Sequence, residues 1–390
     1  MEYNCIIVGA GFSGAVIARK MAEVGKTVMV CDRRKQVSGN MFDEYDENGI
    51  LVQKYGPHVF HTNSDEIYEF VCRFAKMRDY TFKCSAEIDG MMVPSPFNLR
   101  AVEMLYGEAE AEEIKEQLQK MYSGRKSVTI VEMLKSENLT VKKYAEMLFE
   151  KDYKLYTAKQ WGLQPEEIDV SVLNRVPVLL DYRDSFFNEK YEAMPVKGFT
   201  EMFRNMLDHP NIVLCLETEA LEKLRLDFKR GVIYWEDREF KGDFVFTGAI
   251  DELMGYKYGR LPYRALWFDY KTLPVDRYIQ DTPIAVYPQR EGFTRITEYK
   301  VLQEQDVRGV TKIAVEYPME YVRGDEKAGE PYYPVINDGN MSLYQKYKDD
   351  LKVFKSLYLC GRLAEYKYYN MDQVIDRAFQ TADEILGGQA

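Results

Sequence analysis

The hydrophobic pattern is clearest at the N-terminus, where it predicts a strand, a helix and a second strand. Cys5–Val8 is a continuous apolar run, which is typical of a strand buried on both faces. Small and apolar residues recur at helical spacing over residues 15–22, and residues 27–31 form a second buried strand. The chain therefore begins with a βαβ unit.

Further along the chain, the pattern changes twice. Residues 98–165 have helical periodicity, with Thr140 as an expected helix cap and Thr129 and Glu132 at the spacing of a capping box. Residues 178–200 and 255–335 are rich in Tyr, Val, Ile and Thr and predict antiparallel sheet. Further segments predict a return to the first domain: a helix over 199–207, strands at 212–216, 244–247 and 357–362, and a helix over 371–386.

Composition and charge narrow the classes of function. The 390 residues include 52 Lys and Arg and 63 Asp and Glu, for a net charge of −11. This acidic balance argues against broad binding of nucleic acid, which needs a basic face. The 6 Cys include no CxxC pair, and no apolar run approaches the roughly 18 residues needed to span a bilayer. We expect a cytoplasmic protein with no membrane span.

The first candidate chemistry is a glycine fingerprint between the predicted strand and helix. Gly9, Gly11 and Gly14 form the pattern GxGxxG, with Ser13 inside it, and Asp32 closes the second strand. These glycines permit the tight turn, the approach of a pyrophosphate and close packing of the helix. The carboxylate of Asp32 can accept hydrogen bonds from the ribose hydroxyls. A merely structural turn is the alternative, but the strand, the helix and the acid favour dinucleotide binding.

Two further segments favour FAD over NAD. Arg33, followed by Gly39 and Asn40, resembles the basic residue and glycine turn of FAD proteins of the glutathione-reductase type. A strand that ends at Gly361 and Arg362 resembles their second contact to the cofactor. We therefore predict FAD as the cofactor.

The predicted fold class is α/β, with three domains. A Rossmann-like FAD-binding domain is expected from residues 1–80, 198–250 and 352–390. A helical substrate domain with a mobile loop is expected over residues 98–176. An antiparallel β-sheet domain is expected from residues 81–97, 177–197 and 251–351.

Motifs along nearly the whole chain resemble the bacterial UDP-galactopyranose mutases. The most specific are Lys-Gln-Trp-Gly at 159–162 and Thr-Arg-Ile-Thr-Glu at 294–298. The others lie in order at 9–14, 56–62, 93–99, 174–178, 194–195, 331–334 and 361–363. The resemblance implies reversible isomerisation of UDP-galactopyranose to UDP-galactofuranose. Reduced FAD is the nucleophile in that reaction, through an adduct of flavin N5 with the sugar.

The resemblance also implies which residues act at the site. Arg175, on a mobile loop, and Arg295 would clamp the diphosphate of the substrate as two guanidinium forks. His58 and His61 lie in a loop that passes the flavin; His58 is expected at the cofactor and His61 in a catalytic, flavin-tuning role, although either could be structural. A metal site on these histidines is disfavoured because no Cys or carboxylate has suitable spacing.

Aromatic residues complete the expected substrate site. Tyr156 matches an aromatic that stacks on uracil, and Trp161 one that lies near the galactose. Of Tyr332 and Tyr333, one hydroxyl is expected to reach the diphosphate, but strand alternation leaves open which of the two faces inward. Tyr368 and Asn370 are also expected at the substrate.

Two positions depart from the family pattern. Phe186 stands where many members have Tyr, and Asn370 where many have a carboxylate. The first removes a hydroxyl contact to the nucleotide and the second a charge near the sugar.

Two other functions remain open at this point. One is an FAD-dependent oxidoreductase of the amine-oxidase-like type, and the other is a UDP-sugar-binding protein in which FAD is structural. The oligomeric state is open as well, with a homodimer among the alternatives.

Overall fold

The helices and strands are those of a computed structural model, which describes residues 2–162, 176–325, 327 and 329–387. In chain order, its helices are α1 (Phe12–Glu23), α2 (Asp65–Cys72), α3 (Leu99–Leu105), α4 (Glu108–Met121), α5 (Ile130–Leu134), α6 (Leu139–Leu148), α7 (Lys154–Trp161), α8 (Phe199–Leu207), α9 (Ala220–Lys223), α10 (Ile250–Leu253), α11 (Tyr299–Leu302), α12 (Asp338–Leu351) and α13 (Met371–Gly387). Its strands are β1 (Cys5–Val8), β2 (Val28–Cys31), β3 (Asp43–Tyr45), β4 (Leu51–Gln53), β5 (Phe60–Thr62), β6 (Met77–Asp79), β7 (Cys84–Ile88), β8 (Met91–Ser95), β9 (Ser127–Val128), β10 (Val178–Leu179), β11 (Tyr191–Pro195), β12 (Ile212–Cys215), β13 (Leu224–Asp227), β14 (Val232–Trp235), β15 (Arg238–Phe240), β16 (Asp243–Phe246), β17 (Tyr263–Leu273), β18 (Ile284–Val286), β19 (Arg295–Glu298), β20 (Thr311–Glu320), β21 (Tyr333–Pro334) and β22 (Leu357–Leu359).

The N-terminal strand lies at the centre of a parallel sheet with the order β12-β2-β1-β16-β22. Helix α1 packs against α13 and α8, so β1 is covered and its apolar run is buried. The chain leaves β1 toward β2, whereas β16 lies on the opposite side. A sheet of this kind binds ligands outside the carboxyl ends of its strands at such a switch point.

A second, larger sheet has the order β21-β17-β20-β19-β18-β7-β8. Its pairs are antiparallel, except that β18 pairs with β7 in parallel. The predicted antiparallel sheet is therefore present with one parallel junction, where a distant segment of the chain joins it.

Helices α3–α6 pack with strands β7 and β8 around a second hydrophobic cluster. The capping box of Thr129 and Glu132 is present at the start of α5, as predicted. The expected cap at Thr140 is wrong, because the side chain of Asn138 accepts from the main-chain N–H of Val141 at 3.1 Å and starts helix α6 earlier.

The predicted α/β class is confirmed. The exact bounds of the three domains stay a prediction. No helix in the described parts of the chain is long and apolar enough to cross a membrane.

Candidate functional site

The glycine turn after β1 is shaped by contacts that exclude side chains. Gly9 has φ +106°, and a Cβ on it would lie 2.0 Å from Oγ1 of Thr247. A Cβ on Gly14 would lie 1.9 Å from the carbonyl oxygen of Gly9. Gly11 differs, because a Cβ there would meet only Cα of Gly39 at 3.7 Å. Gly9 and Gly14 are therefore needed for packing. The space beside Gly11 is open and can admit a ligand.

Asp32 holds the turn from the end of β2. Its carboxylate accepts from the main-chain N–H of Ala10 at 2.8 Å and of Arg34 at 2.9 Å. These bonds fix the carboxylate at the rim of a cleft that begins at the N-terminus of α1. That N-terminus has no side-chain cap, so its free N–H groups and partial positive charge suit a phosphate.

The segment after Asp32 returns to the glycine turn. Ser38 has φ +78°, and its main-chain N–H donates to the carbonyl of Ala10 at 2.9 Å. Gly39 follows, and a Cβ on it would lie 3.1 Å from Cα of Gly11. The side chain of Asn40 accepts from Arg34 at 3.0 Å. Two glycine backbones thus face each other across one end of the cleft.

The C-terminal part of the chain closes the other side. Gly361 has φ +105°, and a Cβ on it would lie 2.4 Å from Oγ of Ser13. Arg362 donates to the carbonyl oxygens of Tyr332 at 3.2 Å and Tyr369 at 2.6 Å. The turn that follows β22 therefore meets the start of α1 directly.

These segments enclose a cleft of about 490 Å³. The structure brings the following predicted residues to its wall: Gly9, Gly11, Ser13, Asp32, Arg33, Gly39, Asn40, His58, Tyr332, Arg362 and Asn370. Gly14 lies beneath the turn rather than in the wall. The predicted cofactor residues, which are scattered over the sequence, thus form one continuous surface.

The cleft wall contains enclosed polar atoms that no described residue satisfies. Nδ1 of His58 and the hydroxyl of Tyr332 are buried and have no hydrogen-bond partner in the described part of the chain. Buried polar atoms are almost always paired. Together with the uncapped helix and the space at Gly11, they fit a large ligand with a diphosphate and further polar groups, as FAD has.

The two histidines of the loop lie in different surroundings. Gln53 holds the main chain of His58, accepting from its N–H at 2.5 Å and donating to its carbonyl at 3.1 Å. Burial, with the positive charge of Arg362 nearby, lowers the pKa of His58 to about 3, so its ring is neutral at physiological pH.

His61 is not brought to the cleft wall. It lies on β5, stacks on Phe187 with ring centroids 3.8 Å apart, and has Nδ1 3.1 Å from the carboxylate of Glu189. His58 therefore lines the cleft, whereas His61 lies against Phe187 and Glu189. The roles of both histidines stay predictions.

Arg33 and Arg34 join the cofactor cleft to a distant segment. Glu330 lies 3.2 Å from Arg33 and 3.0 Å from Arg34. Burial alone would raise the pKa of Glu330, but the two guanidinium groups outweigh it and lower that pKa. Since Tyr332 and Tyr333 lie two and three residues after Glu330, this cluster fixes the start of the segment that carries both tyrosines.

Arg295, at the start of β19, is not among the residues that line the cleft. Its Nε donates to Oε2 of Glu316 at 2.6 Å, and the Glu316 carboxylate is buried. Burial lowers the pKa of Arg295, but the negative charge of Glu316 outweighs it and keeps the guanidinium protonated. Its positive charge also acts on the pKa of His58 and of Tyr333, so both groups lie within range of that charge.

Tyr332 and Tyr333 face different sides, as strand alternation requires. Tyr332 lies in the wall of the cofactor cleft. Tyr333 lies near Arg295 and stacks against Tyr368 with centroids 5.8 Å apart. The guanidinium of Arg362 lies 5.2 Å and 4.8 Å from the centroids of Tyr333 and Tyr368. Tyr333 and Tyr368 are thus on the Arg295 side.

Helix α7 packs on β20, the strand that carries Glu316. Tyr156 lies near Arg295, whose charge acts on its pKa. Lys159 donates to three main-chain carbonyls of the β18–β19 hairpin: Tyr287 at 2.5 Å, Arg290 at 2.8 Å and Phe293 at 3.0 Å. The lysine therefore fixes the helix to the hairpin that carries Arg295. Trp161 is the last residue of the helix.

Three predicted positions remain. Asn370 precedes α13 and lies in the cofactor cleft wall. Phe186 packs edge-on against Phe82 and Phe187, with centroids 5.5 Å and 5.2 Å away, so this position is filled by aromatic packing. Arg175 lies outside the described residues, and its role stays a prediction.

The sequence did not reveal several residues of the site. Thr247 follows β16, donates to the carbonyl of Val8 at 2.7 Å and lies in the cleft wall. The Thr-Gly pair after a buried strand is a weak signal for it. Glu316 and Glu330 carry no sequence signal, because each is placed only by the sheet or the ion pairs that the fold creates.

The fold and cleft define a dinucleotide-binding protein of the Rossmann class, and residues 7–74 match the family described as NAD(P)-binding Rossmann-like domain. Residues 151–368 match the family described as UDP-galactopyranose mutase. The chain belongs to the UDP-galactopyranose mutase family.

Curated relatives are similar over nearly their whole length. A Klebsiella pneumoniae protein named "Probable UDP-galactopyranose mutase" is 34% identical over 99% of this chain and 96% of its own. The UDP-galactopyranose mutase of Mycoplasma pneumoniae is 31% identical, with the same shares of 99% and 96%. The dTDP-fucopyranose mutase of Escherichia coli is 34% identical over 97% of each chain.

Solved structures agree on the fold. A crystal structure of reduced UDP-galactopyranose mutase has a TM-score of 0.73 at 16% identity and covers 99% of this chain and 94% of its own. A putrescine oxidase has a TM-score of 0.57 at 10% identity, with 99% of each chain covered. The prediction of FAD as cofactor is confirmed.

Proposed function

We propose that the protein interconverts UDP-galactopyranose and UDP-galactofuranose with FAD as its cofactor. One observation carries this proposal beyond family membership. The guanidinium of Arg295, fixed by Glu316, lies within electrostatic range of Tyr333 and of His58, and His58 lines the dinucleotide cleft. A fixed positive charge beside a cofactor is what a diphosphate-linked substrate needs.

The cofactor end of the site would be held by the residues of the cleft wall. The N-terminus of α1 and the open space at Gly11 would receive the FAD pyrophosphate, and Asp32 the ribose. Bound and reduced, FAD supplies a nucleophile for the anomeric carbon of the sugar. The chain itself then binds, orients and shields the substrate.

Arg295 would hold the diphosphate of the substrate, and Arg175 would complete the clamp. UDP leaves and returns in this reaction, so the charge on its phosphates increases when the anomeric bond breaks. A preorganised guanidinium stabilises that charge more than the charge of bound substrate. Tyr333 and Tyr368 flank this region and can donate to phosphate oxygens.

His58 would orient groups at the cofactor rather than exchange protons with bulk water. Its pKa of about 3, lowered by burial and by the charge of Arg362, keeps the ring neutral across physiological pH. A neutral imidazole can donate with one nitrogen and accept with the other. Nδ1, which has no partner among the described residues, is the atom available to a bound ligand.

The nucleoside end would lie along helix α7. Tyr156 offers a flat face for a base, and Trp161 one for the sugar or the closing loop. Asn370 lies near the cofactor and would contact the sugar through its amide.

A second candidate substrate is dTDP-fucopyranose. The Escherichia coli relative with that name is as similar to this chain as the most similar mutase reported above. Both reactions contract a pyranose ring attached to a pyrimidine nucleoside diphosphate, so the site geometry supports either. Asn370, which replaces a family carboxylate, is the position we expect to influence the choice of sugar.

The deciding experiment is incubation of dithionite-reduced protein with UDP-galactofuranose and, separately, with dTDP-fucofuranose. Chromatography should show the corresponding pyranose only when the flavin is reduced, and its loss in Arg295→Ala. Conversion of dTDP-fucofuranose alone would replace the proposed substrate by the second candidate. Absence of both conversions, with flavin bound and reduced, would contradict mutase activity and leave an oxidoreductase or a binding protein.

We also propose a cytoplasmic location and a homodimer. The cysteines are free, which fits a reducing compartment. Cell fractionation tests the location, and sedimentation of the FAD-loaded protein tests the dimer; a monomer at micromolar concentration would contradict it.

A further inference from the structure

Asp152 has an unused carboxyl oxygen next to the proposed substrate site. It lies in the π-helical turn Phe149–Tyr153, which leads directly into α7. Its Oδ1 is enclosed and has no hydrogen-bond partner among the described residues. The neighbouring charges of the same turn are paired, Lys151 with Asp89 and Glu150 with Lys154. An unpaired carboxyl in such a turn calls for an explanation, because burying one is costly.

The position of Asp152 follows from the helix and from the strand beneath it. Tyr156 comes four residues later, so both side chains lie on one face of a helical segment. The turn packs on β7. Burial raises the pKa of Cys84, on that strand, while the charge of Arg295 lowers it and that of Asp152 raises it. Cys84 therefore lies within range of both charges.

A nucleotide sugar has a fixed order of parts, with the diphosphate between the sugar and the nucleoside. The sugar must reach the cofactor cleft, and the diphosphate lies at Arg295 in the proposed function. The nucleoside must then extend away from the cofactor. Tyr156 is within range of the charge of Arg295, and Asp152 lies one helical turn before Tyr156.

We propose that the carboxyl group of Asp152 accepts a hydrogen bond from N3–H of the pyrimidine base of the substrate. This proposal rests on the proposed function and specifies its nucleoside. Uracil and thymine have the same N3–H between two carbonyls, so the contact serves a UDP-sugar and a dTDP-sugar alike. Nucleotide choice between them would not depend on this residue.

A purely structural role is the competing explanation. Lys159 is close enough for its charge to act on the pKa of Asp152, and Lys159 is held by carbonyl oxygens of the hairpin. If Asp152 served only to balance that charge, its loss would affect every ligand of the site equally. A role in base recognition makes its effect depend on the N3 hydrogen.

The test is calorimetric binding of UDP, dTDP and N3-methyl-UDP to the FAD-loaded protein. Wild type should bind UDP and dTDP with similar affinity and N3-methyl-UDP at least about tenfold more weakly, as expected for a lost bond to a charged acceptor. Asp152→Ala should weaken the binding of UDP by about the same factor. It should also abolish the difference in affinity between UDP and its methylated analogue. Asp152→Asn should keep most of the affinity, because its carbonyl can accept.

The control variant is Glu150→Ala, which removes an exposed charge from the same turn and should bind all three ligands as wild type does. A methylation effect that persists undiminished in Asp152→Ala would overturn the proposal. So would a wild type that binds N3-methyl-UDP as tightly as UDP. Failure of wild type to bind either UDP or dTDP would instead overturn the proposed function itself.

Discussion

Arg295 and Glu316 are directly opposite each other on the antiparallel strands β19 and β20, and Nε of the arginine lies 2.6 Å from the carboxylate. Among the described residues, the bonds of this guanidinium involve Nε alone. Its two terminal nitrogens can therefore face a ligand while the buried carboxylate fixes the plane of the group. The pair has the geometry expected of one half of the proposed diphosphate clamp.

Replacing Arg295 by Ala should lower kcat/KM by about a hundredfold or more, because a buried carboxylate and a substrate phosphate both lose their partner. The FAD content, read from visible absorbance, should stay unchanged. Arg290→Ala is the matched control, since that side chain is exposed on the same hairpin and pairs with Glu87. Turnover of Arg295→Ala at the level of this control would contradict the clamp.

The glycine fingerprint separates into packing and binding positions. Gly14→Ala should lower the melting temperature of the cofactor-free protein, because its Cβ would lie 1.9 Å from a carbonyl oxygen. Gly11→Ala should melt like wild type without cofactor, since its nearest neighbour is 3.7 Å away, but should purify with little flavin. A saturated yellow Gly11→Ala protein would show that the pyrophosphate lies elsewhere.

The adjacent tyrosines should respond differently to loss of their hydroxyls. Tyr332→Phe removes an enclosed hydroxyl from the cofactor cleft, so we expect weaker FAD binding and no loss of cofactor-free stability. Tyr333→Phe should keep its FAD and raise KM for the sugar nucleotide several-fold. Flavin titration and steady-state kinetics distinguish the two, and an exchange of the two effects would reverse the assignment.

Lys159 is predicted to position Arg295 through the hairpin. Lys159→Met removes the bonds to three carbonyl oxygens and should lower kcat/KM by about tenfold with FAD retained. Lys154→Met, which removes an ion pair with Glu150 from the same helix, should have little effect. If both variants behave alike, the hairpin needs no lysine to hold it.

The pH dependence of stability provides a check on Asp152. Burial raises its pKa to about 7, whereas an unfolded Asp titrates near about 4. Between these values the folded protein holds a proton that the unfolded chain has lost. The free energy of unfolding should therefore decrease as pH rises from about 4 to about 7. Asp152→Asn should show a smaller decrease in thermal melts over this range; identical slopes would exclude the raised pKa.

The parts of the fold and site that the sequence could predict are those in which local sequence determines local structure. The apolar run of β1, the glycine turn and Asp32 are contiguous or regularly spaced, and each carries its own physical signal. Gly361 and Arg362 could be added because a strand end and a helix start surround them. These residues do line one cleft.

Other parts depend on the tertiary fold. His58 and His61 are three residues apart, and only the start of β5 separates a loop histidine in the cleft from a strand histidine against Phe187. Tyr332 and Tyr333 needed the position of β21 to decide their sides. Glu316 meets Arg295 through strand register, which no local pattern specifies.

The cofactor cleft has a consequence for synthesis of the chain. Its wall includes residues from the first 41 positions, Thr247 and its neighbours, and residues between Gly361 and Val374. A ribosome extends the chain from the N-terminus, so the glycine turn emerges long before the segment that meets it at Ser13. Flavin capture is therefore deferred until translation has nearly finished, and a chain cut before Gly361 should emerge colourless.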